Sequence, residues 1–334
     1  MKILLILSLL GVSSAFVGRS HDQRVQPSFL SNKRLCESSS SRTMRSSRRR
    51  MVDGMVDDGR MDGYYPGQFL INKDKEKIAF NELYMGSSNE LVIFLPNLGE
   101  ERDNPTSDAV LKFCIRRERN FLTADWFGRG DSTGKLMKAT LSRWKQDIIT
   151  ILDNVPTHVT GKADFRKAVF VGHGVGVWVA VLVALERPDL VRGLVGIGGD
   201  PDFTEDLLWK QLPEETKEAI MRDGFREIEW GKLNEVYPIT STLIEDGRNN
   251  LVLRGGTNSL NIRCPVRLIH NLEDKEVPAE TSIRLAECIA SPDVIVNMPK
   301  FGTLGVSESI DQCFSATPDM YEPRYESAET ADTA

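Results

Sequence analysis

Histidine is scarce in this sequence: four in 334 residues, at His21, His158, His173 and His270. None follows His270, so no imidazole can carry a proton late in the chain. Cysteine is hardly commoner, and Cys36, Cys114, Cys264, Cys288 and Cys313 form no C-x-x-C pair. An odd, scattered set argues against a disulfide framework and against a zinc site. Positive charge also runs short once the first fifty residues are set aside. Residues 51–334 hold 32 Lys and Arg against 46 Asp and Glu, net −14. So acidic a body repels a phosphate backbone and excludes nucleic acid as a partner.

The basic residues that are missing from the body are gathered at the start. Lys2, the ten-residue run ILLILSLLGV and Ser13-Ser14-Ala15 have the order of a signal peptide (residues 1–15), cut after Ala15. Ten residues are too few to cross a bilayer, so no membrane span is expected in the mature chain. Residues 16–50 carry nine Lys or Arg, nine Ser and two acidic residues, the composition of a transit segment. With Phe16 at the junction, the two parts resemble the bipartite presequences of algae with secondary plastids. The alternative is a secreted or endomembrane protein with a basic linker. At the other end, residues 316–334 are polar and acidic, as expected of a disordered tail.

Between them, residues 51–315 have the length and apolar content for one α/β domain. Apolar runs at 90–95, 121–124, 168–171, 194–197, 266–269 and 294–298 read as strands. Helical segments at 107–119, 141–154, 175–186 and 279–289 lie between them. Such alternation predicts a mostly parallel central sheet flanked by helices, led by an antiparallel pair within 68–83. Residues 201–250 break the rhythm with amphipathic helical patterns and predict a small helical cap insertion.

At the centre of the domain, Ala168–Val171 runs into Gly172-His173-Gly174-Val175-Gly176 and then a long apolar helix. Strand, tight turn and helix in this order carry G-x-S-x-G in hydrolases, where the turn lifts a serine oxygen above the sheet. Here the middle residue is Gly174. The blocks LPNLGEERDNPTSDAVLKFCIRRERNFLTADWFGRGDSTG, TLSRWKQDIITILD, YPITSTLIEDGR and CPVRLIHNLEDKEVPAETSIRLAECIASPDV closely resemble the α/β-hydrolase superfamily, in its branch of acyl-protein thioesterases and acyl-glucuronide esterases. The likeness covers about residues 67–310. It implies the α/β-hydrolase fold, and an activity in which serine attacks an ester or thioester, histidine moves the proton and an acid orients the histidine.

Carried over residue by residue, the triad is degenerate. Gly174 stands at the nucleophile position and has no side chain to attack with, Leu304 stands at the histidine position, and Asp274 retains the acid. Because no histidine follows Asp274, the order Ser, Asp, His is impossible in this chain. The oxyanion donors of the family would map to the backbone of Val175 and of Asn97 or Leu98. His173 and His270 read as packed residues, and Ser132 as turn chemistry. Glycine at an elbow tolerates the positive φ that strains other residues, and Leu304 is expected to make the cleft floor apolar.

Three possibilities stand at this point. The chain is a catalytically degenerate hydrolase that binds an acyl or aromatic small molecule, or a protein partner. Alternatively it is a working hydrolase with an atypical nucleophile, or Gly172-His173-Gly174 opens a dinucleotide fingerprint with Asp200 as the ribose acid. The first two imply no cofactor, no metal is implied, and the oligomeric state is left open. If the presequence is bipartite, the intermediate on the secretory route begins at Phe16, and Phe16→Ala abolishes plastid import of a reporter fusion. N-terminal sequencing and organelle imaging check both, and secretion of the unaltered fusion would refute the plastid route.

Overall fold

The computed structural model describes residues 63–86, 88–160, 167–230, 235–300 and 302–316, all within one unit of residues 53–334. The presequence and almost all of the acidic tail lie outside the described residues. The chain enters through an antiparallel pair, β1 (Tyr64–Ile71) and β2 (Lys77–Leu83), and continues as β3 (Leu91–Leu95), α1 (Pro105–Arg116), β4 (Asn120–Ala124), α2 (Leu141–Thr160), β5 (Ala168–His173), α3 (Val175–Glu186) and β6 (Val191–Ile197). An insertion follows, holding α4 (Glu214–Asp223), β7 (Phe225–Trp230), β8 (Glu235–Thr240) and α5 (Ser241–Asn249). The chain then completes the sheet with β9 (Val266–Ile269), α6 (Glu280–Cys288), β10 (Val294–Asn297) and α7 (Val306–Ser315).

The eight-stranded sheet has the order β1-β2-β4-β3-β5-β6-β9-β10, and only β2 runs against the rest. This is the α/β-hydrolase architecture expected from the sequence. The central strands are apolar at nearly every position because both faces are covered. On one face Val92, Phe94, Val169 and Val171 pack with Phe113 of α1 and Ile310 of α7. On the other, Ile93, Leu95 and Phe170 meet Trp144 of α2 and Trp178 of α3. Helix α3 is buried from Val175 through Ala184, which explains a helix without a polar face. Helix α1 starts where Asn104 caps it, its side chain accepting from Thr106 and Ser107 N–H, with Pro105 in the first turn.

The insertion differs from the expected helical cap. Besides a π-helical turn at Thr204–Leu208 and the two α-helices, it holds a two-stranded antiparallel sheet, β7 with β8. In β7 the charged residues Arg226, Glu227 and Glu229 line a half-exposed hairpin rather than the polar face of a helix. Helix α5 is capped by the Thr240 hydroxyl and joins the main body where Trp178 Nε1 donates to Asn250 O at 3.0 Å. The Trp178 ring stands edge-on to Phe203, 5.9 Å between centroids.

A buried polar knot fixes the loop after β3. The Arg102 guanidinium pairs with Asp125, reaches Asp131 at 2.7 Å and donates from Nε to Asn81 Oδ1 at 3.0 Å, while its backbone N–H donates to Asp125 Oδ1 at 2.8 Å. Asp125 is itself buried, so it depends on this partner. Ser132 closes the same region as turn chemistry: its hydroxyl donates to Asp125 O and accepts from Ala79 N–H, both at 2.9 Å. At the sheet edges, Pro66 and a register shift between Tyr65 and Gln68 interrupt β1, and β10 is four residues long.

Removing the cation should cost Arg102→Ala about 3–5 kcal/mol, since Asp125 would be left charged and buried; urea unfolding measures this, and a loss below about 1 kcal/mol would refute it. The full chain should unfold at the same midpoint with and without chelator or reductant, because its described cysteines are free thiols and the core is apolar.

Candidate functional site

Strand β5 ends at the head of the sheet, beside β3, with Leu95 registered against Gly172. There the chain reverses into α3 through Gly174, at φ 52° and ψ −119°. Residues with a Cβ rarely adopt such a conformation. The elbow of a hydrolase is therefore present in backbone form without its serine. Gly176 lets the new helix cross close to β3, since a Cβ there would lie 2.2 Å from Leu95 O.

The space above Gly174 is not empty. A Cβ built on Gly174 would fall 2.0 Å from Asn97 Oδ1 and 2.3 Å from Asn97 Cγ. That side chain comes from the loop after β3. Its Oδ1 accepts from Leu98 N–H at 2.8 Å and from Val175 N–H at 3.1 Å. Those two backbone groups are the ones that the sequence mapped onto an oxyanion hole, and the Asn97 side-chain carbonyl accepts from both. Leu98, not Asn97, supplies the loop's donor; Asn97 N–H turns away to Glu100 Oε2 at 3.0 Å. Of the two alternatives for the loop donor, Asn97 or Leu98, the Leu98 N–H points to this place, and the Asn97 amide oxygen is its acceptor. No sequence pattern carries that distinction, because it depends on β3 and β5 lying side by side.

The loop that presents Asn97 is held from below. Trp126 Nε1 donates to Pro96 O at 3.2 Å, Arg129 donates to Gly99 O, and the Arg102 knot follows. Glu100 links the loop to the elbow, since His173 Nδ1 lies 2.9 Å from Glu100 Oε2. Burial alone would raise the Glu100 pKa. The hydrogen bond and charge of His173, with the Asn97 N–H, outweigh it and hold the carboxyl below its ordinary range. His173 thus ties the loop to the elbow from the flank, away from the apex where a nucleophile would sit.

The acid and histidine positions have separate fates. Asp274 follows β9, and its Oδ1 accepts from Glu276 and Val277 N–H at 2.9 and 3.2 Å. Its Oδ2 lies 3.9 Å from where a Cβ on Gly198 would stand, so the carboxylate borders the end of β6. Leu304 contradicts the expected apolar cleft floor. It is 76% exposed in the turn between β10 and α7, where its carbonyl accepts from Asn297 Nδ2 at 3.4 Å. A short turn with Gly302 and Gly305 at positive φ leaves that side chain facing out. His270 is fully buried between Ser282 Oγ at 2.7 Å and Val277 O at 2.9 Å, a packed residue with both ring nitrogens engaged.

Asp200, at the end of β6, is the polar group that sequence reasoning weighed only as a ribose ligand. It is 8% exposed, and its Oδ1 is buried with no hydrogen-bond partner among the described residues. Burial pushes its pKa up to about 7, against the pull of His173 and with the push of Asp274 and Glu276. A buried carboxyl whose ionisation is disfavoured by its surroundings is a poor ribose clasp. The Asn97 amide also fills the turn that a pyrophosphate would have to approach, and the third glycine of a fingerprint is replaced by Val177. Among the described residues no group of three His, Cys, Asp or Glu side chains could hold a metal ion, and no helix is long and apolar enough to cross a membrane.

No protein-family model matches the chain. The mitochondrial palmitoyl-protein thioesterase ABHD10 of Mus musculus is 29% identical over 248 residues, spanning 73% of this chain and 77% of that protein. Its Bos taurus counterpart is 28% identical over 245 residues, 73% and 75% of the two chains. Among solved structures, alpha/beta hydrolase domain-containing protein 10 from mouse superposes with a TM-score of 0.62 at 26% identity, covering 75% of this chain and 96% of that one. Sheet order, elbow backbone and these likenesses agree: the chain has the α/β-hydrolase fold and is similar in sequence to palmitoyl-protein thioesterases of that fold.

Proposed function

We propose that this protein has left ester and thioester hydrolysis and acts by binding, taking an acyl or aromatic small molecule, or a protein partner, in the inherited cleft. The observation that carries this is Asn97 Oδ1, which accepts both backbone N–H groups that would stabilise an oxyanion while its amide fills the space of the missing nucleophile. A catalytic hole must be open to the reacting oxygen. Here it is satisfied internally, Gly174 offers no oxygen, and no imidazole follows Asp274. An acyl ligand is supported by the names of the relatives, which are palmitoyl-protein thioesterases. Those names also include a mitochondrial address, which supports an organellar place for this chain; we assign it to the plastid on the composition of residues 1–50.

The native chain should neither label with serine-directed phosphonates nor turn over acyl esters or thioesters above background. Turnover that survives stringent purification and is abolished by Asp274→Ala would overturn the degenerate assignment. A mass spectrum of the native-source protein under non-denaturing conditions should show a bound acyl or aromatic molecule or a protein partner; repeated recovery of bare chain would overturn the binding role.

Restoring serine alone should fail for a steric reason. Gly174→Ser must expel the Asn97 amide, losing two hydrogen bonds at about 1 kcal/mol each and adding backbone strain of about 1–3 kcal/mol. Thermal unfolding should show that loss, and Asn97→Gly in the same chain should relieve the steric part of it. An unchanged midpoint for Gly174→Ser would show that the amide does not hold the position.

Asp200 gives a pH signature. Its folded pKa is raised above the unfolded value, so its contribution is fully present below about pH 4 and is lost as pH rises through about 7. Asp200→Asn should therefore match the native chain near pH 4 and exceed it in stability at pH 8, by at most about 4 kcal/mol at ~1.4 kcal/mol per unit. Equal stability at pH 8 would refute the buried neutral carboxyl.

A further inference from the structure

At the opposite end of the sheet from the elbow, the chain encloses a cavity of about 390 Å³. It opens where Lys167 leads into β5, α3 ends, Arg192 begins β6 and Arg263 precedes β9. In open α/β sheets ligands bind beyond the carboxyl ends of the strands. This cavity lies at the amino ends, so it is separate from the inherited cleft. Its volume is within the range of small-molecule sites, about 300–1,000 Å³.

Its walls have a definite chemistry. Leu185, Pro188, Ile262 and Pro265 supply apolar surface. Lys167, Arg192 and Arg263 supply three cations, and no Asp or Glu is among the described residues that line it. This is notable in a body of net charge −14, where a cationic concavity is the exception. Arg192 is held in place from one side: its Nη2 donates to Phe314 O at 2.6 Å, and its guanidinium carbon stands 5.5 Å from the Phe314 ring centroid. Its Nε is buried and has no hydrogen-bond partner among the described residues. The anchorage on Phe314 holds the charge of the guanidinium at the cavity wall, and a carboxylate is the natural partner of a guanidinium. The Cys264 thiol on the same wall is pushed up to about 12 by burial, so it stays neutral and does not compete as an anion.

We infer that this cavity is a second binding site, one that takes an amphipathic monoanion: an aliphatic carboxylate whose head group meets Arg192, Lys167 and Arg263 and whose chain lies on the apolar wall. The surrounding acidic body disfavours multiply charged ligands, and the apolar wall disfavours small inorganic anions. Dodecanoate is a suitable probe, with dodecanamide as its uncharged counterpart.

Titration of the full chain with dodecanoate should show saturable binding, at least tenfold tighter than dodecanamide and weakened by salt. The double variant Lys167→Gln, Arg263→Gln, changing two exposed residues, should weaken it at least fivefold, and Arg192→Gln at least tenfold. Because Arg192 also anchors α7, the unmodified protein provides the independent measurement. A diazirine-bearing dodecanoate should crosslink to peptides containing residues 184–192 or 261–265. Equal binding of the amide, an unchanged affinity in the double variant, or crosslinks confined to residues 95–98 and 173–176 would each overturn the assignment.

Discussion

Asn97 Oδ1 accepts one N–H from Leu98 in its own loop and one from Val175 across the sheet, and this shared acceptor joins the loop after β3 to the first turn of α3. The surrounding parts are arranged to let that atom arrive. Gly174 leaves the volume open and accepts the backbone angles, Trp126 and Arg129 hold the loop by its carbonyls, and the buried Arg102 and Asp125 pair fixes the loop's far end. The Leu98 and Val175 N–H groups need a partner, because buried donors must be satisfied. The amide meets that need. Asn97 and Gly174 then depend on one another, because a Cβ at residue 174 would meet the Asn97 amide.

The titratable groups around the elbow are likewise engaged by partners within the fold. Glu100 is spent on His173 and on the Asn97 backbone, His270 is enclosed by Ser282 and Val277, and Asp274 accepts from the backbone that follows it. Asp200 is left as a buried carboxyl. Each group in isolation has the identity that chemistry would want. Their partners show where they are committed.

Much of the architecture was legible because it follows from one-dimensional patterns. Runs such as Leu91–Leu95 and Ala168–Val171 are apolar at every position because both faces of the sheet are covered, and α3 keeps its expected bounds of Val175–Glu186 because glycines and Arg187 punctuate it. The β7–β8 hairpin was not legible: Phe225–Trp230 alternates charged and apolar residues too weakly to be told from an amphipathic helix. At the site, the absence of serine and histidine could be read directly, since a missing side chain needs no coordinates. The role of Asn97 could not, for it arises between residues 78 positions apart. Leu304 misled because its position in the chain says nothing of which way a glycine-flanked turn presents it.

A sheet whose end strands, β1 and β10, have no further strand beside them among the described residues is also a template onto which strands can add. In this molecule the two edges differ in how they refuse. On β1, Pro66 has no N–H to offer and the ladder slips register between Tyr65 and Gln68, so an incoming strand finds no continuous row of donors and acceptors. On β10 the row is regular but ends after four residues, Val294–Asn297, too short to hold a stranger in register. Despite Tyr65, Phe69, Ile71 and Ile295 lying exposed along those edges, the fold resists growing into a fibre through them.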